Sequence, residues 1–283
     1  MELREGYKNT EVGVIPEDWE VKELGDVVTF QGGSQPALTT FIPIQKEGYI
    51  RLLQIRDYKT NKFETFIPLN LAKKFCTSND IMIGRYGPPI FQILRGLEGA
   101  YNVALMKAIP AKEIEREFIY YFLKQDSLFS FVEKLSQRSS GQTGVDLQQL
   151  RLYPIALPTK AEQTAIANAL SDADALINSH EKLIAKKHNI KQGAMQQLLK
   201  PKEGWEVKKL GDICEIRKGE QLNRSTLNDN EYYPVYNGGI SASGYTSDWN
   251  QIENTIIISE GGNSCGFVNF IKTKFWQGGH CSL

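Results

Sequence analysis

Amide, guanidinium and hydroxyl side chains gather beside glycines in four short stretches: FQGGSQP (residues 30–36), LLQIRDYK (52–59), GRYGPP (84–89) and SSGQTG (139–144). Their chemistry is hydrogen-bonded recognition. Asn and Gln offer a donor–acceptor pair that matches adenine, Arg a donor fork that matches guanine, and Ser, Thr and main-chain amides hold phosphates. The candidate contacts are Gln31, Ser34, Gln54, Arg56, Arg85, Tyr86, Ser139, Gln142 and Thr143. Local alternatives exist: Arg56 adjoins Asp57, Tyr86 precedes Pro88 by two residues, and Gly- and Asn-rich stretches are also ordinary loops. A second set, RKGEQLNR, VYNGGISASGY, SEGGNS and FWQGGH, follows from residue 217 onward.

Bond-making chemistry has no comparable signature. The chain contains no GxxxxGKS/T phosphate loop, no HExxH and no GxSxG elbow. Gly87-Pro88-Pro89-Ile90 superficially matches the (Asn/Asp)-Pro-Pro-aromatic loop of amino-methyltransferases, but lacks the polar residue that grips the amine and the aromatic that stacks. The cysteines, Cys76, Cys214, Cys265 and Cys281, include no CxxC pair, and His280-Cys281 falls short of metal-ligand spacing. The expectation is a chain with no catalytic residue, no bound metal and reduced thiols.

The elements that must position these loops come in two copies. WEVKELGDVVTFQGG from Trp19 recurs as WEVKKLGDICEIRKG from Trp205, with seven of the first eight positions identical. Each copy continues with β-branched runs and Gly-rich turns: NDIMIGRYGPPIFQIL and AYNVALM in the first, ENTIIISEGGNSCGFVNF and WQGGHCSL in the second. These predict strands joined by loops. Trp19 and Trp205 are expected as buried anchors of the entry strands rather than base-stacking residues. Copy one then predicts a helix over 113–135, with Ile114, Phe118, Tyr121, Phe122, Leu128, Phe131 and Leu135 on one face, and a strand in RLYPIALP. A second copy of equal length would run to about residue 391, so the second unit is expected to be incomplete.

Between the copies, Thr159 and Glu162 form a capping box and Pro201 a stop, predicting one helix of about forty residues and roughly 60 Å. Ile166, Leu170, Ala173, Leu176, Ile177, Leu183, Ile184, Ile190, Ala194 and Leu198 make an apolar stripe of coiled-coil type. His180 and Lys187 fall within it and either fix register or stay wet. Gly193 costs about 1 kcal/mol relative to alanine and marks either close approach of a partner or a flexible point. Six lysines and no acid occupy residues 182–202, a distribution that suits the helix dipole and reads either as a solvated face or as phosphate-facing.

Composition sets the outer bounds. Across 283 residues, 41% are hydrophobic and 23% charged, which excludes a disordered chain. Thirty-three basic residues balance thirty-three acidic ones, so affinity for nucleic acid must come from local patches. No apolar run approaches the roughly 20 residues of a membrane span, and MELREGYKNTEVG lacks the apolar core of a secretion signal. A cytoplasmic protein without membrane contact is expected.

The blocks VGVIPEDWEVKELGDV, SSGQTGVDLQQLRLYPIALPTKAEQTAIANAL, IKQGAMQQLL and WEVKKLGDI, in this order, resemble the specificity subunit of type I restriction–modification systems over essentially the whole chain. The resemblance implies an α+β fold of two target recognition domains, each of mixed sheet and short helices, separated by one long helix. The expected boundaries are 1–157 for the first domain, 158–200 for the central helix and 201–283 for an incomplete second domain. It further implies that the chain binds double-stranded DNA at a bipartite site and docks modification subunits, with the restriction subunit joining that core. S-adenosylmethionine and ATP would sit on those partners and adenine N6 would be methylated there, with no cofactor on this chain. Family members carry a second helix block antiparallel to the first. Without it, the stripe of Ile166, Leu170, Ala173, Ile177, Leu183, Ile184, Ile190 and Leu198 needs another cover: a second copy forming a homodimer on a palindromic site, a modification subunit, or another chain supplying the missing piece. The alternative is an assembly or regulatory protein that does not bind DNA alone.

Overall fold

The computed structural model describes residues 5–138 and 144–282, and the chain divides into two units, Met1–Gln192 and Gly193–Leu283. The fold as a whole is α+β: α-helices and sheets make up the first unit, and after the end of the long helix the described elements of the second are strands and short 3-10 turns.

In the first unit, one antiparallel sheet runs in the order Val28–Gly32, Leu105–Pro110, Ile81–Gly84, Ile93–Leu94. Ile81, Met82 and Ile83 are all buried, as expected for a short, wholly apolar run covered on both faces. A second sheet runs Phe66–Pro68, Tyr49–Leu53, Gly99–Tyr101, Phe75–Cys76; its Tyr49–Leu53 and Gly99–Tyr101 strands are parallel and its other pairs antiparallel. Leu53, Cys76, Met82, Tyr101 and Leu105 pack together where the two sheets meet. The larger core lies between the first sheet and the helices Arg116–Leu123, Asp126–Arg138 and Leu147–Arg151.

The helix expected over 113–135 is two helices, broken at Lys124 and Gln125. Packing explains the break. Phe118, Ile119, Phe122 and Leu123 of the first and Leu128 and Val132 of the second all reach the same core, and the Lys124 N–H closes the first helix onto the carbonyls of Tyr121 and Phe122.

The entry motif forms strand Glu20–Glu23, which pairs antiparallel with Pro154–Leu157, the strand that leads into the long helix Lys160–Leu198. Trp19 is half-buried, and its Nε1 donates to Glu162 Oε1 at 3.4 Å in the helix's first turn. The capping box forms: the Thr159 N–H and hydroxyl donate to Glu162 Oε2 at 3.0 and 2.9 Å. Buried Gln163 ties the helix to its surroundings, donating to the Pro158 carbonyl and accepting from the Glu115 N–H, both at 2.9 Å. About three turns further along, the Tyr121 hydroxyl donates to Asp174 at 3.0 Å. Ile166 packs on the core, but Leu170, Ala173, Ile177, Leu183, Ile184, Ile190 and Leu198 are exposed, as are His180 and Lys187. No neighbour comes within 4 Å of a side chain built at Gly193.

The second unit repeats the scaffold. Tyr233–Tyr236 lies between antiparallel Gly244–Thr246 and parallel Trp276–Gln277, as Tyr49–Leu53 lies between Phe66–Pro68 and Gly99–Tyr101. Thr255–Ser259 lies between Val268–Ile271 and Cys281–Ser282, as Ile81–Gly84 lies between Ile93–Leu94 and Leu105–Pro110. Trp205, expected as a buried anchor, is instead 53% exposed, and residues 206–209 join no strand. In copy one the anchoring groups are Glu162 and strand Pro154–Leu157; nothing plays either part for residues 205–209 among the described residues.

Candidate nucleic-acid interface

The candidate loops of the first unit are stitched together by main-chain hydrogen bonds through the turn Asn102–Ala104. The Asn102 N–H donates to the Leu53 carbonyl at 3.0 Å, the Arg85 N–H to Ala104 at 2.8 Å, and the Gly33 and Ser34 N–H groups to Leu105 and Tyr101 at 3.0 Å each. The Val145 N–H donates to the Arg85 carbonyl at 3.1 Å, bringing in the end of the fourth loop. Gly33 permits this closure, since a Cβ there would lie 1.9 Å from the Asn102 oxygen. Three sequence-distant loops thus meet around one turn, and Val145 joins them through Arg85.

The candidate side chains take distinct roles in that cluster. Gln31, on strand Val28–Gly32, accepts at Oε1 from the Tyr101 hydroxyl at 2.9 Å. Tyr101 is fully buried, and burial, with lesser contributions from Cys76 and Asp80, pushes its hydroxyl up to about 12, so it remains a donor. Ser34 is half-buried beside it. Arg85 holds its guanidinium 5.3 Å from the ring centre of Tyr86, and its Nη1 is 4.0 Å from a Cβ built at Gly32. Tyr86 is 37% exposed and bridges Gly144, with its ring edge 3.0 Å from a Cβ built at Gly144. Ser139, Gln142 and Thr143 lie outside the described residues.

Gln54 and Arg56 form a second group joined to the first through Leu53. Gln54 Nε2 and Arg56 Nη2 both donate to the Thr65 hydroxyl, at 3.2 and 3.3 Å. Asp57 is not the partner of Arg56. It is buried, accepting from the Gln54 N–H at 2.6 Å and from Arg51 at 3.3 Å, and Arg51 also pairs with Glu64 at 3.0 Å. Among the described residues neither Arg56 nor Arg85 has a carboxylate partner, so both charges are available to an anionic ligand. Thr65 and Asn102 were not singled out by sequence, because their roles arise from contacts 9 to 11 and 49 residues away.

The second unit builds the same frame with other side chains. The Gly219 N–H donates to Cys281 at 3.1 Å, Glu220 to Gln277 at 2.9 Å, Gly278 to Tyr236 at 2.8 Å and Glu260 to His280 at 2.9 Å, matching the bonds of Gly33, Ser34, Asn102 and Arg85. Gly219 stands where Gly33 does, with a Cβ 2.3 Å from the Gly278 oxygen. Across this match Ser34 becomes Glu220, Gln54 becomes Asn237 and Arg85 becomes Glu260. The Glu260 carboxyl is held below its usual range, chiefly by the Ser282 hydroxyl and then by Lys218. The backbone is common; the chemistry presented is not.

Residues 16–187 and 202–283 match the family described as "Type I restriction modification DNA specificity domain". The chain is 26% identical over 243 residues to the type I restriction enzyme MjaVIII specificity subunit of Methanocaldococcus jannaschii, covering 80% of this chain and 56% of that one. It is 31% identical over 276 residues to the putative MjaX specificity subunit of the same organism, covering 83% of this chain and 62% of that one. The chain therefore spans less than two thirds of either relative. In fold it is similar to the crystal structure of a type I restriction–modification S subunit from M. genitalium, with a TM-score of 0.65 and 19% identity over 100% of this chain and 73% of that one. A chain from a study of type I system assembly and conformational transition gives a TM-score of 0.51 at 19% identity, over 94% of this chain and 75% of that one.

Proposed function

The chain belongs to the type I restriction–modification DNA specificity family, and on that premise we propose that it reads the sequence of duplex DNA for partner subunits that modify and cut it. The observation that carries the proposal is the repeated loop frame, closed by equivalent main-chain bonds at Gly33 and Gly219 but presenting different polar side chains. A constant scaffold with variable hydrogen-bonding groups is what reading two different half-sites requires. In this proposal the DNA site is bipartite, adenine N6 is methylated by modification subunits that hold S-adenosylmethionine, and cleavage belongs to an ATP-using restriction subunit. In the same proposal this chain supplies no reacting group and the complex works in the cytoplasm, where the DNA and its partner subunits are. Genome-wide mapping of methylated adenines in cells with and without the gene tests the reading. A set of bipartite methylated sites that vanishes with the gene is the expected result; an unchanged pattern overturns it.

The exposed stripe on Lys160–Leu198 supports a second reading, in which two copies join through this helix and address a palindrome, or the chain serves assembly without binding DNA alone. Leu176 and Ile190, each 60% exposed, sit among other uncovered Leu and Ile side chains, and such a strip calls for a cover. Light scattering on the purified chain at micromolar concentration tests self-association: a dimer that Ile177→Asp with Ile184→Asp converts to monomer supports it, and a wild-type monomer overturns it.

A further inference from the structure

We propose that Thr65 is the positioning residue of a reading head in the first unit, aiming Gln54 at an adenine and Arg56 at a neighbouring guanine. The inference rests on the DNA-recognition reading and names the bases that part of the site takes.

The head is built before any ligand arrives. Residues Ile55–Tyr58 form a short 3-10 turn whose start is locked by buried Asp57, which accepts from the Gln54 N–H at 2.6 Å. Arg51 occupies the nearby acids, pairing with Asp57 at 3.3 Å and Glu64 at 3.0 Å. Arg56 is thereby left with two neutral supports: the Thr65 hydroxyl at 3.3 Å and the ring of Phe63, whose centre is 5.9 Å from its guanidinium. A cationic group held still without neutralisation is suited to an electron-rich partner. Beside it opens a hollow of about 420 Å³ lined by Phe41, Arg56, Asn61, Phe63 and Thr65.

The hydroxyl of Thr65 is only 7% exposed as a residue and receives both head groups, which its two lone pairs allow. With one Nε2 hydrogen given to Thr65, Gln54 keeps its second amide hydrogen and an acceptor lone pair on Oε1. That donor–acceptor pair matches adenine N7 and N6. Arg56, with one Nη2 hydrogen engaged, keeps a fork of donors alone, which matches guanine O6 and N7. Because both nitrogens touch one oxygen, the two groups address the same or adjacent base pairs, stacked about 3.4 Å apart.

The test is selection from a randomised duplex pool by the full chain and its variants. Gln54→Ala should lose preference at one adenine and Arg56→Ala at the guanine beside it, each by about tenfold to a hundredfold. Thr65→Val should lose both preferences at once with its melting temperature little changed, whereas Thr65→Ser should keep the wild-type sequence. Preserved preferences in Thr65→Val, or equal loss in Thr65→Ser, overturn the positioning role. If Thr65→Val fails to fold, Gln54→Ala and Arg56→Ala decide: loss at an adjacent adenine and guanine supports the inference, and any other pattern overturns it. A wild-type chain that enriches no sequence overturns the recognition reading itself, and this inference with it.

Discussion

A methyl group on Gly33 would sit 1.9 Å from the Asn102 oxygen and 2.8 Å from that of Tyr101, both main-chain atoms that cannot swing aside. Gly33→Ala must therefore push the first loop away from the turn Asn102–Ala104 and break the bonds to Leu105 and Tyr101. Overpacking of this kind costs about 1–3 kcal/mol. Urea unfolding should show that loss, and hydrogen exchange should show faster exchange at the Gly33 and Ser34 amides; unchanged exchange there would contradict the loop-closing role. Thiol chemistry gives a second check at this scale. Cys76 is buried, and burial, followed by the Asp80 charge, pushes its thiol up to about 11; Cys281 is also buried and raised, by burial first. A thiol reagent at pH 8 should modify exposed Cys214 and Cys265 promptly and reach the other two only on denaturation. Individual contacts of this kind were only half legible in the sequence. Side-chain type singled out Gln54 and Arg56, which the fold brings together at Thr65, but Asp57, one residue from Arg56, belongs to Arg51. Proximity along the chain does not reveal which of two arginines a buried acid selects.

At the scale of elements, local rules succeeded where the element stands alone. The capping box at Thr159 and the stop at Pro201 bracket a helix found at Lys160–Leu198, because its middle packs on little else and local propensity is unopposed. The helix over 113–135 broke because core contacts on both sides of Lys124 outweigh continuity. The cap also makes a pH-dependent joint. The Glu162 carboxyl is held below its ordinary range, first by the Thr159 hydroxyl, then by the Thr159 N–H, with Trp19 adding a smaller part. A depressed carboxyl stabilises the fold fully above its unfolded pKa and loses that contribution as pH falls through its folded value. Thr159→Ala should cost about 1 kcal/mol at pH 7. Its deficit relative to wild type should narrow as pH falls through the depressed folded value of the carboxyl, where the wild type loses the same contribution. A deficit independent of pH in urea titrations would detach the cap from Glu162.

At the scale of the whole molecule, the internal repeat was the most legible feature, since seven of eight entry residues coincide, and it is repeated in the sheets. What sequence could not supply was the fate of Trp205, which shares that motif yet is exposed, because a motif specifies an anchor only when its receiving groups are present. The repeat also constrains what the long helix can do. Lys160–Leu198 is the covalent path between the two loop frames, and its 39 residues at about 1.5 Å each make it about 58 Å long. Its first turns are held by Trp19, Gln163 and Tyr121, whereas residues 175–192 are exposed throughout. A change in the exposed part should therefore leave both frames intact while altering what connects them. Inserting four residues, about one turn, after Lys187 should lengthen the unspecified gap of the methylated site and leave the sequence of each half unchanged. Methylation mapping of the insertion variant reads this directly. Altered half-sites would mean that the helix takes part in reading bases, and an unaltered gap would mean that spacing is set by the partner subunits rather than by this helix.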